Sequence, residues 1–225
     1  PLKLINNKEM ILHVYDAAIK SNSGEVYVAT PDNKIIDIVK NFGGKAFKTS
    51  SVHQTGTDRI FEVFEKVLNK EPDIIVNLQG DMPNIDPKAI SHLVKYMDKK
   101  ECDISTLASS FNTKEEMNNT NVVKVAVKEN LKENTFLKAV DFFRDNSNTK
   151  YNLYHHIGIY AFTSKALIRY VSLKRSKLEL ERKLEQLRAL ENSMSIHVGY
   201  INSSPLSVDT KNDLMEVRKI MDKSS

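Results

Sequence analysis

The sequence predicts an α/β fold with a mostly parallel sheet, and three observations predict it. Short apolar, β-branched runs alternate with helical patterns through the first hundred residues, the rhythm of strand, helix, strand, helix that builds α/β layers. The run DIIVNLQ at 73–79 is apolar enough for a central parallel strand. After about residue 103 the rhythm changes to successive strands, a meander of the kind that forms a second lobe.

The elements follow in order. Ile11, Leu12, Val14, Tyr15, Ala18 and Ile19 have helical spacing. EVYVAT at 25–30 reads as a buried strand. DNKIIDIVKNFG is a helix, with Asp32 as its N-cap and Gly43 as its stop. KAFKT at 45–49 is a short strand. In TDRIFEVFEKVLN, Ile60, Val63, Phe64, Val67 and Leu68 make one apolar stripe, which predicts a helix over 57–69. DPKAISHLVKYM places Pro87 just inside a helix start. CDISTLASS, NVVKVAVK, NTFLKAVDFF and YHHIGIYAF are strands, and SKALIRYVSL is a helix. KLELERKLEQLRALEN at 177–192 predicts one amphipathic helix carrying Leu180, Leu184 and Leu187. SIHVGYI is the last strand and DTKNDLMEVRKIMD the last helix. Asn and Ser around 146–152 mark a mobile loop.

Composition narrows the class. The chain has 225 residues, 40% hydrophobic and 28% charged, enough to bury a core. A net charge of +4 with interspersed signs, and basic residues clustered only as pairs such as Lys174-Arg175, argues against a nucleic-acid partner. The single cysteine, Cys102, excludes an internal disulfide and suits a reducing compartment as a small core residue. No apolar run approaches the ~18 residues of a membrane span.

Several residues are candidates for chemistry. Asp81 follows the strand 73–79, between Gly80 and a stiffening Pro83. In open α/β sheets ligands bind beyond the carboxyl ends of strands. Asp81 therefore reads either as a carboxylate held at that edge or as a turn aspartate bonding its own backbone. Asp209, in SPLSVDTKNDL, reads as a second such carboxylate or, with Thr210, as an N-cap. Two carboxylates from separate segments would suit Mg²⁺, which completes its octahedron with water and phosphate oxygens. HQTGTDR at 53–59 puts Gly56 and Thr57 at a helix N-terminus, where backbone N–H groups can meet an anion. Arg59 in that first turn opposes the dipole; it reads as a ligand donor or as a partner of Glu62 or Glu65. His155 and His156 read as a satisfied edge pair or as ligands, though not of zinc without further His or Cys nearby; Glu185 and Gln186 read as a solvated helix face, and Lys124 as an outward strand residue.

HQTGTDR, IVNLQGDMP, HHIGIYAF, LEQLRALEN and SVDTKNDL, in this order and spacing, together resemble the 3-deoxy-manno-octulosonate cytidylyltransferases, the CMP-Kdo synthetases of Gram-negative bacteria. The resemblance runs from Pro1 to the C-terminus. It implies a nucleotide-diphospho-sugar transferase fold, a Rossmann-like α/β domain over 1–225 with an inserted mixed-sheet lobe at about 108–162 for sugar binding and dimerisation. It implies transfer of CMP from CTP to the sugar acid Kdo, with pyrophosphate released, for lipopolysaccharide synthesis. It also implies Mg²⁺, a homodimer and a cytoplasmic location. Carried onto matching positions, Asp81 and Asp209 hold the metal, and Gly56, Thr57 and Arg59 lie along the cytidine. Gln79, Arg144, His156, Tyr160, Glu185 and Gln186 face the sugar acid.

The family's opening strand and its Arg- and Lys-bearing phosphate loop are represented here only by Pro1-Leu2. The expectation is therefore weak or no CTP binding by the chain as given and a gap in the sheet beside EVYVAT. Met82 stands where many members have Glu, and His155 replaces a common Arg. A catalytically silent homologue that only binds or dimerises is the alternative. A glycosyltransferase is less favoured, since Gln79 stands where an Asp-x-Asp motif needs Asp.

Overall fold

The structure is a computed structural model and describes residues 1–99, 102–145 and 150–222. In chain order the described elements are β1 (Leu4–Ile5), β2 (Lys8–Glu9), α1 (Met10–Lys20), β3 (Tyr27–Thr30), α2 (Asn33–Asn41), β4 (Lys45–Lys48), α3 (Gly56–Lys66), β5 (Ile74–Asn77), α4 (Pro87–Met97), β6 (Ile104–Ser109), α5 (Lys114–Asn118), β7 (Lys124–Val127), β8 (Phe136–Phe143), β9 (Asn152–Thr163), α6 (Ser164–Ser172), α7 (Lys177–Arg182), α8 (Leu187–Glu191), β10 (Ile196–Tyr200) and α9 (Lys211–Asp222). Most of the predicted order is there. The mobile loop expected at 146–152 lies partly outside the described residues, at 146–149.

The chain divides into two compact units. The first comprises residues 1–69, 79–92 and the segment from Pro205 onward. It opens on a hairpin that the sequence reading missed. Asn6 and Asn7 both take positive φ, 49° and 60°, which a tight two-residue hairpin requires and which Asn tolerates better than most residues. Asp32 caps α2 by accepting from the Lys34 N–H at 2.8 Å, as expected. Ile11, Leu12 and Tyr15 of α1 pack with Ile35, Ile36 and Val39 of α2 and with Ala46 of β4. A second cluster joins Ile5 and Met10 to Leu214 and Val217 of α9. β3 pairs with β4 in parallel, and among the described residues no other strand bonds to β3.

The second unit comprises residues 70–78 and 93–204 and contains the stretch 108–162 read as a lobe. Its sheet runs β5-β9-β6-β10-β8-β7, with β7 also bonded to β9. Here the sequence expectation needs correction. Only β6 and β10 run parallel; the other pairings in this sheet are antiparallel. β5 is no central parallel strand but sits at the end of the order, antiparallel to β9. A short apolar run declares that it is buried without declaring the direction of its neighbour. Cys102 is buried, its Sγ 3.7 Å from Met97 Sδ.

Two further readings change. The helix expected over 177–192 is broken into α7 and α8, with Lys183 left-handed at φ 55°. Leu184 and Leu187 are buried but Leu180 is 52% exposed, so the three leucines do not share one stripe. α3 also ends at Lys66, and Asn69 and Lys70 turn the chain with positive φ.

Candidate active site

In the first unit, Thr55 caps α3 by accepting from the Asp58 N–H at 3.2 Å. Gly56 and Thr57 thus form the first turn of an 11-residue helix, with its N–H groups and positive dipole end. Arg59 Nη1 donates to Thr49 Oγ1 at 2.8 Å and to the Ser50 carbonyl at 2.9 Å, tying the preceding loop to the helix. Glu62, read as one partner for Arg59, instead binds His53 at 2.6 Å, the Ser50 N–H at 2.9 Å and Lys66 at 2.9 Å. These donors, the His53 ring foremost, lower its pKa to about 2.

Gly56 is needed for a contact. A Cβ at this position would lie 2.7 Å from Gln79 Nε2. Gln79 therefore sits against the helix start that carries the nucleotide candidates. Two residues on, Asp81 is half-buried. Its Oδ2 accepts from the Ser207 hydroxyl at 2.9 Å, and its carbonyl accepts from the Val208 N–H at 2.9 Å. Among the described residues no hydrogen bond reaches its buried Oδ1. Burial raises the Asp81 pKa, and the negative charge of Asp209 raises it further, against the Ser207 hydrogen bond.

Asp209 reaches this place because the chain runs from Ser207 and Val208 straight into it. The capping alternative is answered locally. Thr210 caps α9, accepting from the Asp213 N–H at 3.2 Å, and Asp213 Oδ2 accepts from the N–H groups of Thr210 and Asp209 at 2.7 and 3.1 Å. The cap leaves the exposed Asp209 carboxylate out of its bonds. A half-buried carboxylate with an orphaned oxygen, next to a second negative charge, fits a divalent cation. No group of three or more His, Cys, Asp or Glu side chains suited to a metal occurs among the described residues. This donor set therefore suits Mg²⁺, which needs only one or two carboxylates, and not zinc.

In the second unit, β9 carries a bulge. Its register with β6 shifts between Thr106 and Leu107, so that Thr106 faces Tyr160 and Leu107 faces Ile157. Bulges re-aim side chains, and here the ring centroids of His156 and Tyr160 lie 5.5 Å apart. Thr106, which sequence reasoning did not single out, closes the bulge. Its hydroxyl lies 2.7 Å from the Ile159 carbonyl, 3.1 Å from the Ile157 carbonyl and 3.0 Å from His156 Nε2. A hydroxyl has one proton. With it given to Ile159, the oxygen accepts from His156 Nε2–H, leaving Nδ1 as the acceptor of the ring. Burial pushes the His156 pKa down to about 3, so the ring is neutral.

Burial also raises the Tyr160 phenol well above its usual value, and the charge of Glu185 adds to this. His156, Tyr160 and Glu185 thus share one neighbourhood. Gln186 is not a solvated residue as expected; it is buried at the start of α8. Arg144 stands just past β8, and its Nη1 donates to the carbonyls of Thr120 and Asn121 at 3.4 and 2.9 Å. Lys124, expected to point outward, is fully buried. Its ammonium donates to the carbonyls of Asn119, Val122 and Arg144 at 2.6, 2.9 and 2.7 Å. An alternating pattern cannot reveal a lysine whose three protons are all spent on main-chain oxygens.

A family profile described as Cytidylyltransferase matches residues 1–196. The chain is 41% identical over 219 residues to the 3-deoxy-manno-octulosonate cytidylyltransferase of Bartonella tribocorum, covering 96% of this chain and 89% of that one. It is also 41% identical over 222 residues to the enzyme of the same name from Brucella ovis, covering 97% and 87%. The solved structure of a CMP:2-keto-3-deoxy-manno-octonic acid synthetase complexed with CTP is similar at a TM-score of 0.87 and 35% identity, covering all of this chain and 92% of that one. A nucleotidyl transferase from Methanothermobacter, at 13% identity and a TM-score of 0.63, shares the fold alone.

Proposed function

The chain belongs to the cytidylyltransferase family, and within it to the 3-deoxy-manno-octulosonate cytidylyltransferases, and from that premise we propose that it transfers CMP from CTP to Kdo for lipopolysaccharide synthesis. A hydroxyl oxygen of the sugar acid, giving up its proton to solvent, bonds to the α-phosphorus of CTP. The bond from that phosphorus to the bridging oxygen breaks, and pyrophosphate leaves with the electron pair. Such a transfer needs positioning and charge neutralisation more than covalent help from the protein.

Each unit contributes residues suited to one substrate. In the first, the α3 N-terminus offers N–H groups to the nucleotide, and Arg59 stiffens the loop in front of it. Asp81 and Asp209 would hold Mg²⁺, which when bound supplies neutralisation of phosphate charge and a lower pKa for the attacking hydroxyl. The orphaned Oδ1 of Asp81 beside the charge of Asp209 is the observation that carries this reading. In the second unit, His156 Nδ1 can accept from a sugar hydroxyl, Tyr160 can donate as a neutral phenol, and Glu185 and Gln186 offer acceptors and an amide. Arg144 supplies a cation for the sugar carboxylate. A homodimer and a cytoplasmic location belong to the same proposal; among the described residues no helix is long and apolar enough to cross a membrane.

The test is product analysis. The full chain, incubated with CTP, Kdo and MgCl₂, should yield CMP-Kdo and pyrophosphate, and chelation should stop it. Product from a sialic-type acid but none from Kdo would move the assignment to another sugar acid. No product from either, in a folded chain, would favour the silent homologue. Sedimentation should read twice the mass of one chain.

A further inference from the structure

The turn at 183–186, between α7 and α8, carries Glu185 and Gln186. It has little regular structure of its own, and Lys183 in it is left-handed. It is nevertheless held from several directions. Tyr170 of α6 donates its hydroxyl to the Glu185 carbonyl at 2.8 Å. The Arg188 guanidinium lies 4.6 Å from the centroid of the Tyr170 ring. Arg188 also grips Glu179 bidentately, Nε to Oε2 at 2.9 Å and Nη2 to Oε1 at 2.7 Å. Glu179 is held in turn by Arg175 Nε at 2.9 Å and by the Ser176 N–H at 3.1 Å. Its carbonyl receives the Leu184 N–H at 3.3 Å.

Glu179 and Arg188 are 0% and 3% exposed, and Tyr170 is 2% exposed. A buried ion pair is a poor source of stability, because apolar residues of like volume usually serve as well. What it supplies is a defined geometry, bidentate and stacked, that an apolar cluster would not impose. The segment whose geometry it defines is the one bearing Glu185, whose charge acts on Tyr160, and the buried Gln186.

We propose that Tyr170 and Arg188 are positioning residues for the sugar acid, bracing the Lys183–Gln186 turn through the Glu185 carbonyl and Glu179 so that Glu185 and Gln186 are presented to it. This rests on the reading of the second unit as the part that binds the sugar acid. Tyr170 and Arg188 touch no substrate in this scheme; they act through the turn.

The decisive variant is Tyr170→Phe, which keeps the ring under Arg188 and deletes only the hydroxyl that holds the Glu185 carbonyl. In the full chain it should melt within a few degrees of wild type. The KM for Kdo should rise about 5- to 10-fold, with the KM for CTP within twofold. Arg188→Lys, which keeps the charge but loses the bidentate grip, should do the same. In a Glu185→Gln background, Tyr170→Phe should raise the KM for Kdo by less than it does in the wild type, since the two act partly as a unit. Unchanged KM for Kdo in both variants, or equal changes in the KM for Kdo and for CTP, would overturn the inference while leaving the proposed activity standing. Absence of CMP-Kdo formation by the wild-type chain would overturn both.

Discussion

Ser207 and Asp81, 126 positions apart in the chain, are joined by a 2.9 Å hydrogen bond from the Ser207 hydroxyl to Asp81 Oδ2. This bond and the Val208 N–H on the Asp81 carbonyl bring the segment entering α9 alongside the loop after β5. They make neighbours of two carboxylates that the sequence separates widely.

Asp81→Asn should leave a folded chain with transfer activity down at least about a hundredfold, the equivalent of a few kcal/mol of transition-state stabilisation. Asp209→Asn should do likewise. An acid whose folded pKa is raised holds its proton more tightly when folded, so it stabilises the fold at low pH and that contribution disappears as pH rises through the folded value. At neutral pH the Asp81 charge is therefore a cost, and without metal Asp81→Asn should melt higher than wild type. MgCl₂ should raise the wild-type midpoint and leave that of the variant unmoved. Full activity in either variant removes that residue from the metal site.

Buried neutral His156 predicts acid sensitivity. Its pKa is about 3 when folded and about 6.5 when unfolded. Below that unfolded value only the unfolded chain takes up the proton, so the contribution is complete above about pH 6.5 and is lost as pH falls toward 3. The slope should approach about 1.4 kcal/mol per pH unit in the middle of this window. His156→Gln retains a donor for Thr106 but cannot titrate. Denaturant unfolding from pH 8 to pH 4 should show the wild type losing stability relative to this variant below about pH 6.5. Parallel curves would mean that the ring is not held neutral.

Lys124→Met should destabilise the fold by about 3 kcal/mol or more, because it strands the carbonyls of Asn119, Val122 and Arg144 without their donor. Urea unfolding measures this directly. A loss under about 1 kcal/mol would show that water or a neighbour replaces the ammonium.

Gly56→Ala places a methyl group 2.7 Å from Gln79 Nε2. That atom is the end of a flexible side chain, so the fold should survive with a small change in melting temperature. The amide of Gln79 must move, and the affinity for CTP should fall several-fold in calorimetry. Unaltered CTP affinity would separate Gly56 from nucleotide binding.

Much of the local order was legible because it rests on local physics. Asp32 and Pro87 marked helix starts, and the stripe of Val63 and Phe64 marked a buried helix face. The errors share one cause, which is that composition speaks for burial and not for the partner. The run at 74–77 is β-branched whether its neighbour is parallel or antiparallel. The leucines near 180–187 have helical spacing whether or not Lys183 breaks the helix. Asn6-Asn7 is a turn signal between two strands of only two residues each.

What the sequence by itself determined is the family it resembles and a list of candidates: the two acids Asp81 and Asp209, the Gly56-Thr57 helix start, the paired histidines and the Glu185-Gln186 step. What only the tertiary structure decided is which of these acquire unusual chemistry. The bond of Asp81 to Ser207, the neutral ring of His156 beside Thr106 and the hold of Tyr170 on the turn at Glu185 depend on groups 126, 50 and 15 positions away, and the ammonium of Lys124 on carbonyls both close by and 20 positions on. Burial and hydrogen bonding set the charge state of a side chain, and burial above all is made by residues that fold against it.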